Sequence, residues 1–215
     1  MSVQALFFDL DGTLTDPKPG ITGCIQYALE RLGRPVPTQE ELEWCIGPPL
    51  QENFAKLVGP AEAAQGVAFY RERFGEIGLF ENEVYEGIPD VLAALSAQGG
   101  ELFVASSKPK VYVDRILDHF DLTRYFVRVY GSELDGTNTD KRDLLAVALA
   151  DSGIAPIDAT MIGDRAHDAI GAAHNAVDFV GALYGYGSRE ELEDEGAIRF
   201  VHAPSELPFT LGGTP

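Results

Sequence analysis

The 215-residue sequence has no apolar run long enough to cross a membrane, and it contains only two cysteines. Basic residues are also scarce, because 16 lysines and arginines stand against 34 acidic residues and leave a net charge of -18. Such a charge repels the phosphates of nucleic acid and of acidic membranes. We therefore expect a protein that binds neither nucleic acid nor a membrane.

The N-terminus has no basic segment and no small-residue cleavage site, so we predict no signal peptide. Cys24 and Cys45 have neither a metal-ligand nor a redox spacing. We interpret both cysteines as reduced thiols in a cytoplasmic protein. A disulfide bond between them remains an alternative at the level of sequence. The hydrophobic content of 45% is that of an ordinary globular protein. The length allows one substantial core with a smaller insert.

Short apolar runs alternate with helix-like segments over most of the chain. The predicted strands are 5–8, 101–105, 126–130, 159–162 and 177–183. Val3 is expected to extend the first of them. The predicted helices between them are 88–98, 110–119, 141–151 and 166–175, and residues 211–215 are expected to fray. This alternation predicts an α/β protein with a parallel sheet. In such sheets ligands bind at the carboxyl ends of the strands.

Residues 16–81 show no strand pattern. They instead predict helices at 21–32, 38–46, 50–57 and 61–77, separated by proline and glycine. Thr38 and Glu41 fit a capping box at the start of the second helix. A helical insert is therefore expected directly after the first strand.

Two carboxylates follow that first strand at once, in the motif Asp9-Leu10-Asp11-Gly12-Thr13. Like charges this close are costly unless a cation lies between them or one carboxyl stays protonated. Gly12 permits a tight turn, and the Thr13 hydroxyl can cap exposed backbone. The alternative is an acidic surface turn, but the apolar run before the motif argues against it. The motif therefore indicates a cation site.

A second acidic group, Gly163-Asp164 with Asp168, follows the predicted strand 159–162. Asp164 is expected in the turn, and Asp168 in the first turn of the next helix could face the same site. Hard oxygen ligands of this kind suit Mg²⁺. Taken alone, this group also fits the common role of aspartate as a helix cap.

Two further segments carry groups that could bind a phosphate. Ser106 and Ser107 follow a predicted strand, where a hydroxyl and free N–H groups can form an anion cradle. Lys141 opens a predicted helix, although the helix dipole disfavours a cation there. A carboxylate cluster and a substrate phosphate would explain its position. Lys108 and Arg142 compete for the same role.

These motifs and their order resemble the haloacid dehalogenase-like superfamily of phosphohydrolases over essentially the whole chain. The sequence looks closest to the phosphoglycolate phosphatase-like branch, on the segments DLDGTLTD, IGPPL, VYGSELDG and LYGYGSREEL. The resemblance implies a Rossmann-like doubly wound parallel sheet, formed by residues 1–15 and 82–215. It also implies a small α-helical cap at residues 16–81.

The resemblance also implies roles for the motif residues. Asp9 would be the nucleophile and a metal ligand. Asp11 would protonate the leaving group, activate water and bind the metal through its backbone carbonyl. Ser106 and Lys141 would hold the phosphate, and Asp164 would be a metal ligand. The supporting residues would be Asp168, Thr13, Ser107 and Gly163.

The expected activity is Mg²⁺-dependent hydrolysis of a small phosphorylated metabolite, as in a phosphoglycolate phosphatase, through an aspartyl-phosphate. A 5′-nucleotidase, an inorganic pyrophosphatase or a sugar phosphomutase would share the core and differ in the cap. A binding module without activity is disfavoured, because a structural role needs none of Asp9, Asp11, Lys141 and Asp164. The sequence is compatible with a monomer or a homodimer.

Overall fold

The computed structural model describes residues 5–212, so Val3 and the fraying expected for residues 213–215 lie outside the described residues. The chain divides into two compact units, Met1–Thr15 with Val84–Pro215, and Asp16–Glu83. Among the described residues, no helix has the length and apolar character needed to span a bilayer.

The first unit is built on parallel strands. They are β1 (Ala5–Phe8), β4 (Glu101–Pro109), β5 (Arg128–Ser132), β6 (Ala159–Gly163), β7 (Asp178–Ala182) and β8 (Phe200–Val201). Their order is β5-β4-β1-β6-β7-β8, with β1 flanked by β4 and β6. Phe8 at the end of β1 pairs with Val104 and Ile162. The chain extends the sheet first to one side of β1 and then to the other, which places a topological switch point beside this strand.

Helices cover both faces of this sheet. They are α4 (Ile88–Ala97), α5 (Lys110–His119), α6 (Lys141–Ser152), α7 (Ala166–His174), α8 (Arg189–Asp194) and α9 (Leu207–Gly212). On one face, Phe7 and Phe103 stack at 4.8 Å and pack in a cluster with Leu145 of α6 and Ala169 of α7. The doubly wound α/β fold is therefore confirmed.

The second unit contains α1 (Lys18–Arg31), α2 (Leu50–Val58) and α3 (Pro60–Phe74), with short 3₁₀ helices at Glu40–Cys45 and Gly78–Phe80. Its aromatic core joins Phe54, Tyr70 and Phe74, whose successive ring centroids lie 6.3 and 5.1 Å apart. A Cβ at Gly66 would lie 2.4 Å from the Phe54 ring, so glycine lets α3 approach α2 closely. Two short strands, β2 (Thr15–Asp16) and β3 (Glu83–Val84), pair where the chain passes between the units.

Several predicted elements differ from the structure. The α-helix predicted at 38–46 is a 3₁₀ helix at Glu40–Cys45, because Gly47-Pro48-Pro49 stops the segment before an α-helix can lengthen. The predicted capping box is nevertheless present, since the Thr38 and Glu41 side chains each accept from the other's backbone N–H.

Strand β4 was predicted to end before Ser106, but it continues to Pro109 through an irregular pairing with β5. The sequence also failed to predict β8, α8 and α9. These elements are two to six residues long, too short for a hydrophobic period to show.

Candidate active site

The loop after β1 carries two buried carboxylates at the carboxyl edge of the sheet. The Asp9 N–H donates to the Ile162 carbonyl at 2.9 Å, which continues the pairing of β1 with β6. The chain then turns tightly, and the Thr15 N–H donates back to the Leu10 carbonyl at 3.0 Å. Asp9 and Asp11 are only 6% and 8% exposed. Carboxylates this buried need charged or hydrogen-bonding partners.

Two glycines allow this loop to meet the segment after β6. A Cβ at Gly12, where φ is +80°, would lie 2.1 Å from Oδ2 of Asp164. A Cβ at Gly163 would lie 2.3 Å from Cγ of Asp168. The Thr13 hydroxyl donates to Oδ1 of Asp164 over a long 3.5 Å. Thr13 and Gly163, two of the predicted supporting residues, thus lie directly against the second acidic group, as does Gly12.

Lys141, the first residue of α6, lies within the acidic site. Its Nζ is 3.0 Å from Oδ1 of Asp9 and 2.7 Å from Oδ1 of Asp168, and it donates to the Ala105 carbonyl at 2.7 Å. Burial by itself lowers the pKa of Lys141, but Asp168 and Asp9 outweigh it and raise the pKa above its usual value. Lys141 is therefore a buried ammonium.

Two of the three carboxylates that meet here contact this ammonium, namely Asp9 and Asp168. Asp9, Asp164 and Asp168 each offer an oxygen within 4.8 Å of the other two, and all three are buried. Burial, followed by repulsion from Asp168 and Asp9, raises the pKa of Asp164 well above its usual value. Burial also raises the pKa of Asp168, against the opposing effect of Lys141. One ammonium cannot neutralise three carboxylates, so this donor set fits a hard divalent cation such as Mg²⁺.

The side chain of Asp11 lies outside this acidic cluster. Its Oδ1 is 2.8 Å from Nζ of Lys108, and the two side chains are 10% and 8% exposed. Burial raises the pKa of Asp11, and Lys108 opposes that shift. The two lysines considered from sequence are thus divided between the two carboxylates of the first motif. Lys141 contacts Asp9 and Lys108 contacts Asp11.

The remaining candidates separate into buried and exposed groups. Ser106 is 2% exposed, and its Oγ accepts from the backbone N–H two residues on at 3.3 Å. Ser107 contributes its backbone, because its carbonyl accepts from the Ser132 hydroxyl at 2.8 Å. Arg142 is exposed and pairs with Asp140, which caps α6. The structure therefore does not place Arg142 among the buried site residues.

The loop 184–187, with the sequence YGYG, contacts both acidic segments. The Tyr184 hydroxyl donates to the Thr13 carbonyl at 2.9 Å, and the Tyr186 N–H donates to Oδ2 of Asp164 at 2.8 Å. Sequence reasoning missed Glu191, which binds the first turn of α7. No local signal distinguishes it from the other acidic residues of α8.

Known proteins similar to this chain include members of a family of hydrolases. Residues 6–182 match the family model described as haloacid dehalogenase-like hydrolase. The chain belongs to this family. A crystal structure of a predicted phosphatase from Clostridium acetobutylicum superposes with a TM-score of 0.95 at 39% identity, covering 100% of both chains. Family and relatives together define this chain as an enzyme of the phosphatase class.

The curated relatives carry different names. A 5′-nucleotidase of Pseudomonas aeruginosa is 49% identical, covering 87% of this chain and 86% of its own. Tyrosine-protein kinase PtkA of Mycobacterium tuberculosis is 36% identical over 98% of this chain and 73% of its own. Phosphoglycolate phosphatase 1 of Pseudomonas aeruginosa is 30% identical over 89% of this chain and 74% of its own.

Proposed function

We propose that this chain is a Mg²⁺-dependent phosphomonoesterase, which hydrolyses small phosphorylated metabolites through an aspartyl-phosphate on Asp9. The observation that carries the proposal is the meeting of Asp9, Asp164, Asp168 and Lys141 at the carboxyl ends of β1 and β6. A purely structural core would not bury three neighbouring carboxylates with only one ammonium among them, because each buried charge is costly.

The metal would be held by the carboxylates of Asp9 and Asp164 and by the backbone carbonyl of Asp11. Asp168 lies close enough to support this set directly or through water. When bound, Mg²⁺ supplies the positive charge that lets a carboxylate and a phosphate, both anionic, approach each other.

The protein groups then divide the chemistry. Asp9 attacks phosphorus while the bond from phosphorus to the leaving oxygen breaks, and Asp11 gives that oxygen its proton. Water next attacks the aspartyl-phosphate and loses its proton to Asp11, which releases phosphate and restores Asp9. Ser106 and Lys141 hold the phosphoryl oxygens during both steps.

The contacts of Asp11 suit both of its roles. Burial raises the pKa of Asp11, which favours the protonated acid of the first step. The ammonium of Lys108 favours the carboxylate that is needed to accept a proton in the second step. Opposed influences of this kind bring a carboxyl group towards the working pH of an acid–base catalyst.

Residues 16–83 form the helical unit that we assign as the cap, which would exclude water and select the substrate. Nucleoside 5′-monophosphates are the first substrates to test, because the 5′-nucleotidase is more similar in sequence than the phosphoglycolate phosphatase. Phosphoglycolate is the second. We place the enzyme in the cytoplasm, and leave monomer and homodimer as the two states to distinguish by sedimentation.

The similarity to PtkA favours transfer to a tyrosine hydroxyl as a second candidate function. The same nucleophile and the same acid–base group could serve either acceptor. Incubation with labelled ATP and a tyrosine peptide distinguishes them, since a phosphatase yields free phosphate and a kinase yields phosphopeptide.

The decisive experiment compares the parent with Asp9→Asn in the hydrolysis of p-nitrophenyl phosphate with Mg²⁺. We expect Asp9→Asn to lose turnover and to yield no acid-stable, hydroxylamine-sensitive phosphoprotein. Asp143→Asn is the matched control, because Asp143 is exposed in the first turn of α6. Parental turnover in Asp9→Asn would overturn the assignment of the nucleophile.

A further inference from the structure

The segment of residues 184–191, here called the clasp segment, contacts the first three residues of the turn that runs from Asp164 to Asp168. It lies beyond residues 6–182, the part of the chain that matches the family model.

The first half of the clasp segment packs its backbone against the acidic loops. A Cβ at Gly185 would lie 2.3 Å from the Gly12 carbonyl oxygen, and one at Gly187 would lie 1.8 Å from the Asp164 carbonyl oxygen. Only glycine allows contact this close. It brings the Tyr186 N–H within 2.8 Å of Oδ2 of Asp164, so one carboxylate oxygen is held by backbone.

The second half of the clasp segment binds the start of α7. Oε1 of Glu191 accepts from the Ala166 N–H at 2.8 Å and from Nε of Arg165 at 2.9 Å. The first N–H groups of a helix have no partner within the helix, so an outside acceptor stabilises them. Glu191 is itself oriented by its N–H, which donates to the Ser188 hydroxyl at 3.0 Å.

The turn from Asp164 to Asp168 connects the contact made by Glu191 to the acidic cluster. Oδ2 of Asp168 accepts from the Arg165 N–H at 3.1 Å, and Glu191 accepts from the next backbone N–H along the chain, that of Ala166. The other oxygen of Asp168 faces Lys141 at 2.7 Å. Repulsion disfavours the close approach of Asp9, Asp164 and Asp168, and Lys141 opposes it by direct contact only at Asp9 and Asp168. An anchor outside the cluster would therefore help to keep the turn near β1.

We propose that Glu191 is a positioning residue, which holds the Asp164–Asp168 turn against this repulsion and so keeps the cation-binding carboxylates together. The inference rests on the proposed function, since it assumes that this cluster binds a divalent cation. Groups that orient metal ligands from outside typically change metal affinity by about 10- to 100-fold when removed.

The test measures metal binding by the full-length protein without substrate, as the free Mn²⁺ signal in electron paramagnetic resonance. We expect Glu191→Ala to bind Mn²⁺ about tenfold more weakly than the parent. Glu191→Gln keeps an oxygen acceptor for the Ala166 N–H but loses the charge beside Arg165, so we expect a loss of about threefold. Glu190→Ala is the matched control, since Glu190 is exposed in the same helical turn.

Activity provides the second readout. The Mg²⁺ concentration for half-maximal hydrolysis of p-nitrophenyl phosphate should rise in parallel with the loss of Mn²⁺ binding. The KM for substrate at saturating Mg²⁺ should stay at the parental value. Far-ultraviolet circular dichroism without metal shows whether Glu191→Ala is folded, and Glu191→Gln carries the comparison if it is not.

The outcomes separate the two proposals. A parent that binds no Mn²⁺ would overturn the metal-dependent function and the positioning role together. A parent that binds Mn²⁺, with both Glu191 variants binding as tightly as Glu190→Ala, would overturn the positioning role and leave the proposed function intact.

Discussion

Replacing Gly12 by alanine tests how closely the loop after β1 must approach the second acidic segment. The structure shows two separate reasons why this substitution should be unfavourable, one from backbone conformation and one from steric overlap. The backbone at Gly12 has φ of +80°, and a residue with a Cβ in this left-handed region costs about 1–2 kcal/mol. The new Cβ would also lie 2.1 Å from Oδ2 of Asp164, more than 1 Å inside an ordinary contact of 3.4 Å.

The steric cost has to be met by moving either the loop or Asp164. A displacement of about 1 Å in a catalytic group can cost about 100-fold in rate. We therefore expect Gly12→Ala to lower kcat for p-nitrophenyl phosphate by about 100-fold, with unfolding in urea showing a stability loss above the backbone cost alone.

Gly153→Ala is the matched control. Gly153 follows α6 with φ of +73°, and a Cβ there would meet no atom within 4 Å. It should lose about 1–2 kcal/mol of stability with parental kcat. If Gly12→Ala kept kcat within about threefold of the parent, Asp164 would not require this close approach and the reasoning would fail.

Further predictions concern the buried charges and thiols. Lys141→Met leaves Asp9 and Asp168 without their cation, so we expect a loss of roughly 3 kcal/mol in urea unfolding without metal, and a kcat at least about 100-fold lower. Burial and repulsion from Asp168 and Asp9 raise the pKa of Asp164, so the stability of the metal-free protein should fall as pH rises through that pKa. Mg²⁺ should therefore raise the melting temperature more at pH 8 than at pH 5.5, and an equal rise at both would contradict this. Burial raises the pKa of Cys45 to about 12, so iodoacetamide at pH 8 should label this thiol only after unfolding, as mass spectrometry can show.

Local patterns were enough to predict the core and the first motif. An apolar run such as residues 5–8 forms a strand because nothing polar interrupts it, and the carboxylates that follow must then lie at its end. The same reasoning applies to β6 and the aspartates after it. These features depend on a few adjacent residues, so they can be read without knowing what lies across the sheet.

The pairing of distant groups could not be predicted in this way. Lys108 and Lys141 are equally basic in sequence, and only the irregular end of β4 and the start of α6 direct one to Asp11 and the other to Asp9. Glu191 is equally inconspicuous among the acidic residues of α8. Within the described part of the chain, it is nevertheless the acidic residue of α8 whose side chain binds the start of α7.

The sequence by itself therefore determined the alternation of the main strands and helices as far as β7, the helical insert and the residue types available for phosphoryl chemistry. Tertiary structure decided which carboxylates form the cluster, with Asp168 inside it and the Asp11 side chain outside. The physical reason is the distance along the chain over which the interactions act. Strand and helix formation depends on neighbours a few residues apart, whereas the electrostatics of a buried site depends on contacts made across more than a hundred residues of chain.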